Sequence, residues 1–461
     1  MDLNDKKIMA VGLAKSGISA AKLCRKYGAD VTVYDGKKEE ALADQLAQLK
    51  SEDFTYILGR EPLEEELAAL DLMVLSPGVP TDLPFIVKAR QLGVTIWGEV
   101  ELGYHFCKSP LIGITGTNGK TTTTTLVGEI MQAFQPASLV AGNIGTPFTE
   151  VAQQTSENGY VTIELSSFQL ETTDEFHPHV AAILNFTPDH LDRHKTFENY
   201  VAAKCRVYEN QTAEDYCIFN YDDELCRRQG QLLMEKENAP QVVFFSHSVA
   251  TTGGLWTEGD NIMADVNGTA RCVAEISKMK IFGPHNEENA MAAIACALKS
   301  GVSEEIIRER LYAFRGVAHR IEDVGSVNGV NYYNDSKATN PDAAIKGLLA
   351  MRSPQTVLIG GGYDKGTPYD EWCALFNGRV RRLILLGQTK QDIFDCAVQC
   401  GYPEENIYMA ETFEEAVSVA AQSAKEGDSV LLSPACASWG MFKSYEQRGD
   451  IFRTLVQNMM K

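Results

Sequence analysis

The sequence predicts an α/β protein of three domains. These are a Rossmann-like N-terminal domain over 1–98, a central P-loop-type ATPase domain over 99–316 and a C-terminal Rossmann-like α/β domain over 317–461. Three observations predict it. A strand, glycine turn, helix and strand open the chain. A second apolar strand runs into Gly113-Ile114-Thr115-Gly116-Thr117-Asn118-Gly119-Lys120-Thr121-Thr122, and a further series of strands and helical stretches follows Val317. The linkers are short, so the domains are expected to close around one cleft.

In the first segment, residues 8–11 read as a strand, followed by Gly12-Leu13-Ala14-Lys15-Ser16-Gly17 and a helix to about residue 27. A second strand, 31–34, ends at Asp35, and a third, 72–75, ends in Ser76-Pro77-Gly78. Ala14 stands where a dinucleotide fingerprint places its second glycine, which disfavours NAD but leaves a nucleotide sugar diphosphate open. Asp35 can accept hydrogen bonds from a ribose or a uracil. The alternative is a plain structural βα turn.

The central segment begins near Gly98. Its glycine-rich turn feeds a helix start, so backbone N–H groups and the helix dipole favour a phosphate there. Lys120 can reach terminal phosphates and the Thr121 hydroxyl can bind Mg²⁺. Ile114 replaces the first glycine of the strict Walker pattern, leaving a narrower variant. Strands are expected at 160–165, 180–185, 216–219 and 242–245, a small added sheet between 253 and 280, and a helix at 286–300. Glu164, at a strand end, can hold Mg²⁺ or can cap the next helix, with Ser166 and Ser167 as competing caps. His190 and His194 have the i, i+4 spacing of a zinc pair, but no further Cys or His set completes one. Pro188-Asp189 reads as a loop, which places His190 beside Mg²⁺ or a substrate oxygen. His177 and His179, flanking Pro178, read as surface turn residues. Asn286 and Asn289, one turn apart, can grip a base or phosphate, or Asn286 can cap the helix.

The third segment has strands at 330–333, 356–359, 383–386 and 430–432, with helices at 341–351 and 412–425. Polar clusters follow the strands, at the edge where open α/β sheets bind ligands. Arg320, Lys337 and Lys365 together suggest a site for an anionic second substrate.

Bulk properties exclude several classes. The net charge is −20 and the pI about 4.9, so non-specific binding to nucleic acid or anionic membranes is not expected. No run has the length of a membrane span, and residues 1–7 lack the apolar stretch of a signal peptide. Eleven scattered cysteines without a CxxC pair suit a reducing cytoplasm.

TGTNGKTT, GNIG (142–145), ELSSFQLE, PDHLDRH, HNEEN, His319-Arg320, NDSKATNPDA, GGYDKG and SPACASW–MFKSYEQRG occur in one order along nearly the whole chain. In this the sequence resembles the Mur ligase family, and NDSKATNPDA with SPACAS–EQRG narrows the resemblance to its D-glutamate-adding branch. The resemblance implies an ATP-dependent amide ligase of peptidoglycan precursor synthesis. ATP would phosphorylate the carboxylate of UDP-N-acetylmuramoyl-L-alanine, and the amine of D-glutamate would displace phosphate. Gly116, Thr117, Asn118, Gly119, Lys120, Thr121 and Thr122 would cradle ATP, with Asn286, Asn289, Arg320 and Asp335, the last on the ribose. Thr121 and Glu164 would hold one Mg²⁺. His190 and a CO₂-derived carbamate on Lys204 would hold a second. Lys15, Ser16, Asp35, Ser76, Gly78, Asn143 and His190 would bind the UDP-sugar. Lys337, Thr339, Lys365, Ser438 and Tyr445 would line the D-glutamate site. The family often has phenylalanine at Tyr445, and some members have Asp-Gly where this chain has Tyr363-Asp364. The expected protein is a cytoplasmic monomer acting on small molecules, with no nucleic-acid partner and no membrane insertion. Alternatives are another Mur-type or folylpolyglutamate-type ligase, or a non-ligating nucleotide-dependent switch.

Overall fold

The computed structural model describes residues 1–50, 53–266, 268–364 and 366–460. Among these the strands build three sheets. By compactness the chain divides into two units, Met1–Met279 with Pro284–Ala313, and Lys280–Gly283 with Phe314–Lys461. No helix among the described residues is long and apolar enough to cross a membrane.

The first unit carries two sheets. β1 (Lys7–Val11), β2 (Asp30–Asp35), β3 (Thr55–Leu58), β4 (Leu72–Leu75) and β5 (Thr95–Gly98) form a parallel sheet in the order β3-β2-β1-β4-β5. The apolar runs of β1 and β4 lie buried on both faces, as parallel strands covered by helices must. The order reverses between β1 and β4, so a ligand crevice opens at their carboxyl ends, at Gly12 and Ser76. Gly17 has no substitute there: a Cβ on it would sit 1.8 Å from Gly12 O.

The second sheet comprises β6 (Leu111–Thr115), β7 (Leu139–Gly142), β8 (Val161–Glu164), β9 (Val180–Ile183), β10 (Tyr216–Asn220), β11 (Gln241–Ser246), β12 (Leu255–Glu258), β13 (Asn261–Val266) and β14 (Thr269–Glu275). Their order is β14-β13-β12-β11-β10-β9-β6-β8-β7. β6 lies between β9 and β8, the switch point of this sheet. Residues 253–280 do not make a separate small sheet. β12 joins β11 in parallel through Phe245↔Leu255 and Ser246↔Trp256, and β13 and β14 continue antiparallel from it. The meander thereby covers an edge that β11 would otherwise leave open.

The two sheets of this unit meet at the helix Glu99–Tyr104. The buried Glu99 carboxylate accepts from both the N–H and the hydroxyl of Thr149 at 2.7 Å, and burial pushes its pKa up.

In the second unit β15 (Glu322–Val327), β16 (Val330–Asn334), β17 (Thr356–Gly360), β18 (Val380–Leu385), β19 (Ile407–Met409) and β20 (Ser429–Leu432) run in the order β15-β16-β20-β17-β18-β19. All pairs are parallel except β15·β16. The carboxyl ends of β16, β17 and β20 therefore share one edge, from which the loops after Asn334, Gly360 and Leu432 emerge. β15 had no apolar run to announce it: it is an edge strand of half-exposed residues around Gly325.

Candidate active site

The phosphate loop leaves the wholly buried strand β6, whose Thr115 hydroxyl donates to Leu165 O at 2.8 Å. Gly116 (φ +142°) and Gly119 (φ +85°) bracket the turn before the helix Lys120–Phe134. A Cβ on Gly119 would lie 2.2 Å from Asn289 Oδ1, so glycine is needed both for the left-handed backbone and for the close approach of Asn289. The loop is clamped from the segment after β9. Thr117 N–H donates to Asn185 O at 3.0 Å, and Asn118 N–H donates to Asn185 Oδ1 at 2.8 Å. Asn185 Nδ2 returns a bond to Asn118 O at 3.2 Å. The Thr117 hydroxyl lies 2.9 Å from Tyr200 Oη. Sequence reasoning missed Asn185 and Tyr200. The signal was an amide directly after an apolar strand beside the phosphate-loop strand.

Two lysines converge on this loop. Lys120 Nζ donates to Gly116 O and Thr117 O, each at 2.9 Å, and Lys204 Nζ donates to the same Gly116 O at 2.9 Å. Lys204 is only 2% exposed, on the helix Phe197–Cys205, with its nitrogen 4.6 Å from the Tyr200 ring centroid. Burial, and then the charge of Lys120, pull the Lys204 pKa well below the ordinary lysine value, outweighing Asp189, Glu164 and Cys205.

Glu164 ends β8 and is 1% exposed. Its Oε1 accepts from Asn143 Nδ2 at 2.8 Å, while the buried Oε2 has no hydrogen-bond partner. A buried anionic oxygen without a donor is a place for a cation, so the residues fit the Mg²⁺ expected there. The GNIG loop wraps this group: Asn143 N–H donates to Glu164 O at 2.9 Å, and a Cβ on Gly142 would meet that oxygen at 2.2 Å. Asn143 therefore stands on Glu164 in this structure. Thr121, in the first helical turn, is buried.

His190 has left-handed backbone (φ +52°), is exposed, and lies 3.5 Å from Asp189 Oδ2 with its ring 4.8 Å from that of Phe168. His194 faces elsewhere, its Nδ1 3.2 Å from Glu171 Oε1 and its Nε2 2.9 Å from Ser167 Oγ. Among the described residues no group of three or more His, Cys, Asp and Glu is set to hold a metal ion. His177 and His179 are more than turn residues: both engage the buried Asp215 carboxylate, at 2.6 and 3.1 Å. Asn286 and Asn289 bond each other, Nδ2 of Asn289 to Oδ1 of Asn286 at 3.2 Å, and Asn289 Oδ1 accepts from Thr123 at 3.3 Å. That brings Asn289 onto the phosphate loop.

At the crevice of the first sheet, Asp35 accepts Leu13 N–H and Lys37 N–H, each at 2.9 Å. Ser76 Oγ donates to Gly12 O at 2.9 Å, and Lys15 Nζ donates to Gly145 O. Ser16 lies in the first turn of the helix Lys15–Lys26, and the space around the Gly78 Cα is open. Arg193, also missed, links this loop to the central sheet, donating to Val79 O at 2.9 Å and Glu171 Oε2 at 2.6 Å.

In the second unit, Asp335 is buried, accepting from Ser433 Oγ at 2.7 Å and Ile321 N–H at 3.3 Å. Burial pushes its pKa up to about 7, against the pull of Ser433, Arg320, Ile321 N–H and Arg448. Arg448, 2% exposed, is the clasp of this site. It donates to Ser336 Oγ and O at 2.9 and 2.7 Å and to Cys436 O at 3.3 Å, joining the loops after β16 and β20. Lys337 Nζ lies 5.8 Å from the Tyr445 ring centroid, and Lys337 N–H donates to His319 O at 2.9 Å. Thr339 N–H donates to Lys337 O at 2.9 Å, and the buried Ser438 accepts Phe442 N–H at 3.0 Å. Tyr363 pairs with Ala437. Lys365 lies outside the described residues.

Comparisons with known proteins agree along the chain. Residues 6–98 match the Mur ligase MurD-like N-terminal domain, 114–297 the Mur ligase middle domain, and 319–436 the Mur ligase glutamate ligase domain. A UDP-N-acetylmuramoylalanine--D-glutamate ligase of Thermoanaerobacter pseudethanolicus is 46% identical over 461 residues, covering 100% of both chains. One of Clostridioides difficile is also 46% identical at the same coverage. Among solved structures, MurF of Acinetobacter baumannii superposes with a TM-score of 0.61 at 18% identity, covering 98% of this chain and 93% of its own. That last likeness concerns the fold.

Two outcomes follow from this geometry. Gly119→Ala places a Cβ at positive φ, a cost of about 1–2 kcal/mol, and against Asn289. Calorimetric titration should show nucleoside triphosphate binding weakened by about tenfold or more. Asp335 has its folded pKa above its unfolded value of 3.8, so the folded state holds the extra proton between roughly pH 4 and 7. Stability is therefore fully present below the unfolded value and declines as pH rises towards 7. Denaturation midpoints across that window should fall for the native protein and flatten in Asp335→Asn.

Proposed function

Since the chain belongs to the Mur ligase family, we propose that it joins D-glutamate to UDP-N-acetylmuramoyl-L-alanine, cleaving ATP to ADP and phosphate, as a cytoplasmic step of peptidoglycan precursor synthesis. The observation that carries the residue-level reading is the meeting of Lys120 and Lys204 on Gly116 O, beside the orphaned Glu164 oxygen. A carboxylate is a poor electrophile. An oxygen of the alanyl carboxylate attacks the γ-phosphorus, the bond to ADP breaks, and an acyl phosphate results. The uncharged amine of D-glutamate then attacks the acyl carbon, phosphate leaves, and the nitrogen gives up its proton. Phosphoryl transfer needs mainly positioning and charge neutralisation.

Lys120 supplies a movable cation. Held by two backbone carbonyls, it exchanges those partners for γ-phosphate oxygens when ATP enters. Thr121 and Glu164 would hold Mg²⁺, which would neutralise phosphate charge when bound. Once uncharged, the amine of Lys204 adds to CO₂, forming an N–C bond and releasing one proton, so that a buried neutral group becomes a buried anion. That carbamate, with His190, would hold the second Mg²⁺. Asn286, Asn289, Arg320 and Asp335 serve ATP, while Lys15, Ser16, Asp35, Ser76, Gly78 and Asn143 serve the UDP-sugar. Lys337, Thr339, Lys365, Ser438 and Tyr445 serve D-glutamate, and Arg448 ties the loop of Lys337 and Thr339 to that of Ser438.

The direct test is phosphate release with Mg-ATP and UDP-N-acetylmuramoyl-L-alanine across D-glutamate, L-glutamate, L-lysine and meso-diaminopimelate. Release with D-glutamate alone, together with the amide product by mass, is expected. Release with another acceptor moves the protein to another branch, and release without any acceptor favours a nucleotide switch. Lys204→Ala should lower turnover by roughly a hundredfold. Short carboxylic acids should restore part of it by replacing the carbamate, and full activity without additives would overturn the modified-lysine role.

A further inference from the structure

Three thiols outside the candidate site meet in the second unit. Cys373 ends the helix Asp370–Cys373, while Cys396 and Cys400 lie one turn apart, within and just beyond the helix Lys390–Gln399. They share one apolar cluster with Trp372, Phe376 and Tyr402. Cys396 and Cys400 pack against the cluster that buries Cys373. Cys400 Sγ lies 3.8 Å from Asp370 O, and Asn377 Nδ2 donates to Cys400 O at 3.3 Å, which fixes the end of the second helix on the first. All three cysteines are free thiols, Cys373 buried and the other two half-buried.

The same two helices reach the loops at the candidate amino-acid site. Tyr369 Oη precedes the first helix and Thr389 Oγ1 the second, and both lie 3.3 Å from Cys436 Sγ in the loop after β20. Thr389 Oγ1 also accepts Gly362 N–H at 3.1 Å. Trp372 packs so closely on β17 that a Cβ on Gly360 would meet it at 2.8 Å.

We infer that Cys373, Cys396 and Cys400 form a thiol–disulfide exchange site that couples the oxidation of small thiols to the geometry of these loops. Cys373 is buried, and burial pushes the Cys373 and Cys396 thiols up, while Cys400 stands just past the end of its helix and is the point of entry. The Cys400 thiolate attacks one sulfur of a small-molecule disulfide, whose S–S bond breaks. One small thiolate leaves, takes up a proton, and a mixed disulfide remains. The Cys396 sulfur gives its proton to solvent, attacks Cys400 Sγ and expels the second small thiolate. Two protein thiols become one disulfide, and the small disulfide becomes two thiols. Exchange with Cys373 then moves the bond to Cys373–Cys396, cross-linking the two helices.

The test treats the full chain with glutathione disulfide, then maps alkylated and disulfide-linked peptides by mass spectrometry and measures kinetics. A disulfide within the trio, reversed by dithiothreitol, is expected, with a several-fold rise in the KM for D-glutamate. Cys400→Ser and Cys396→Ser should each lose both effects. Full alkylation of the trio while the exposed Cys272 takes up glutathione overturns the site, and an unchanged KM in the cross-linked protein overturns the coupling. The kinetic arm rests on the proposed ligase function and the mapping arm does not. A cross-link in a protein without ligase activity would sustain the exchange site and overturn the ligase reading instead.

Discussion

The site depends on a conflict of charge at one carbonyl oxygen. Gly116 O accepts from both Lys120 and Lys204, and Lys204 is buried there with its nitrogen over an aromatic ring. Two ammonium groups so placed repel each other in a medium that screens poorly. The conflict is relieved if the buried amine gives up its proton, and it reverses sign if that amine becomes a carbamate. Lys120 also donates to Thr117 O. Glu164 has one oxygen held by Asn143 and the other, buried, without a hydrogen-bond partner.

The folds place these groups by one rule used three times. Each sheet is mainly parallel, and each puts its polar loops at the carboxyl ends of strands flanking a switch in order. In the first sheet this exposes Gly12 and Ser76, in the second the phosphate loop and Glu164, in the third the loops after Asn334, Gly360 and Leu432. Glycine is required where loops approach one another closely, as at Gly119 against Asn289.

Much of this was legible in the sequence because the strands of parallel sheets are unbroken apolar runs. The strands at β1, β4, β6 and β10 fell within a residue of expectation, and the phosphate loop followed its strand as read. Short edge strands such as β15 and β19 carry no such run and were not foreseen. The meander of residues 253–280 was legible as strands, but not its attachment to β11, since edge pairing is a backbone matter that side-chain pattern does not encode. Motifs pointed to Lys120 and Glu164, whereas no local signal pointed to Asn185, Arg193 or the clasp role of Arg448. Each of these bonds to loops far away in the chain, and only the fold brings them together.

The proposed carbamate on Lys204 would relieve the conflict at Gly116 O, since it turns the buried amine into an anion. The most direct measurement is a carbon-13 NMR spectrum of the native protein in labelled bicarbonate. A carbamate carbon signal is expected, absent from Lys204→Ala. A fully active protein without that signal, or the same signal from the variant, would contradict the proposed carbamate.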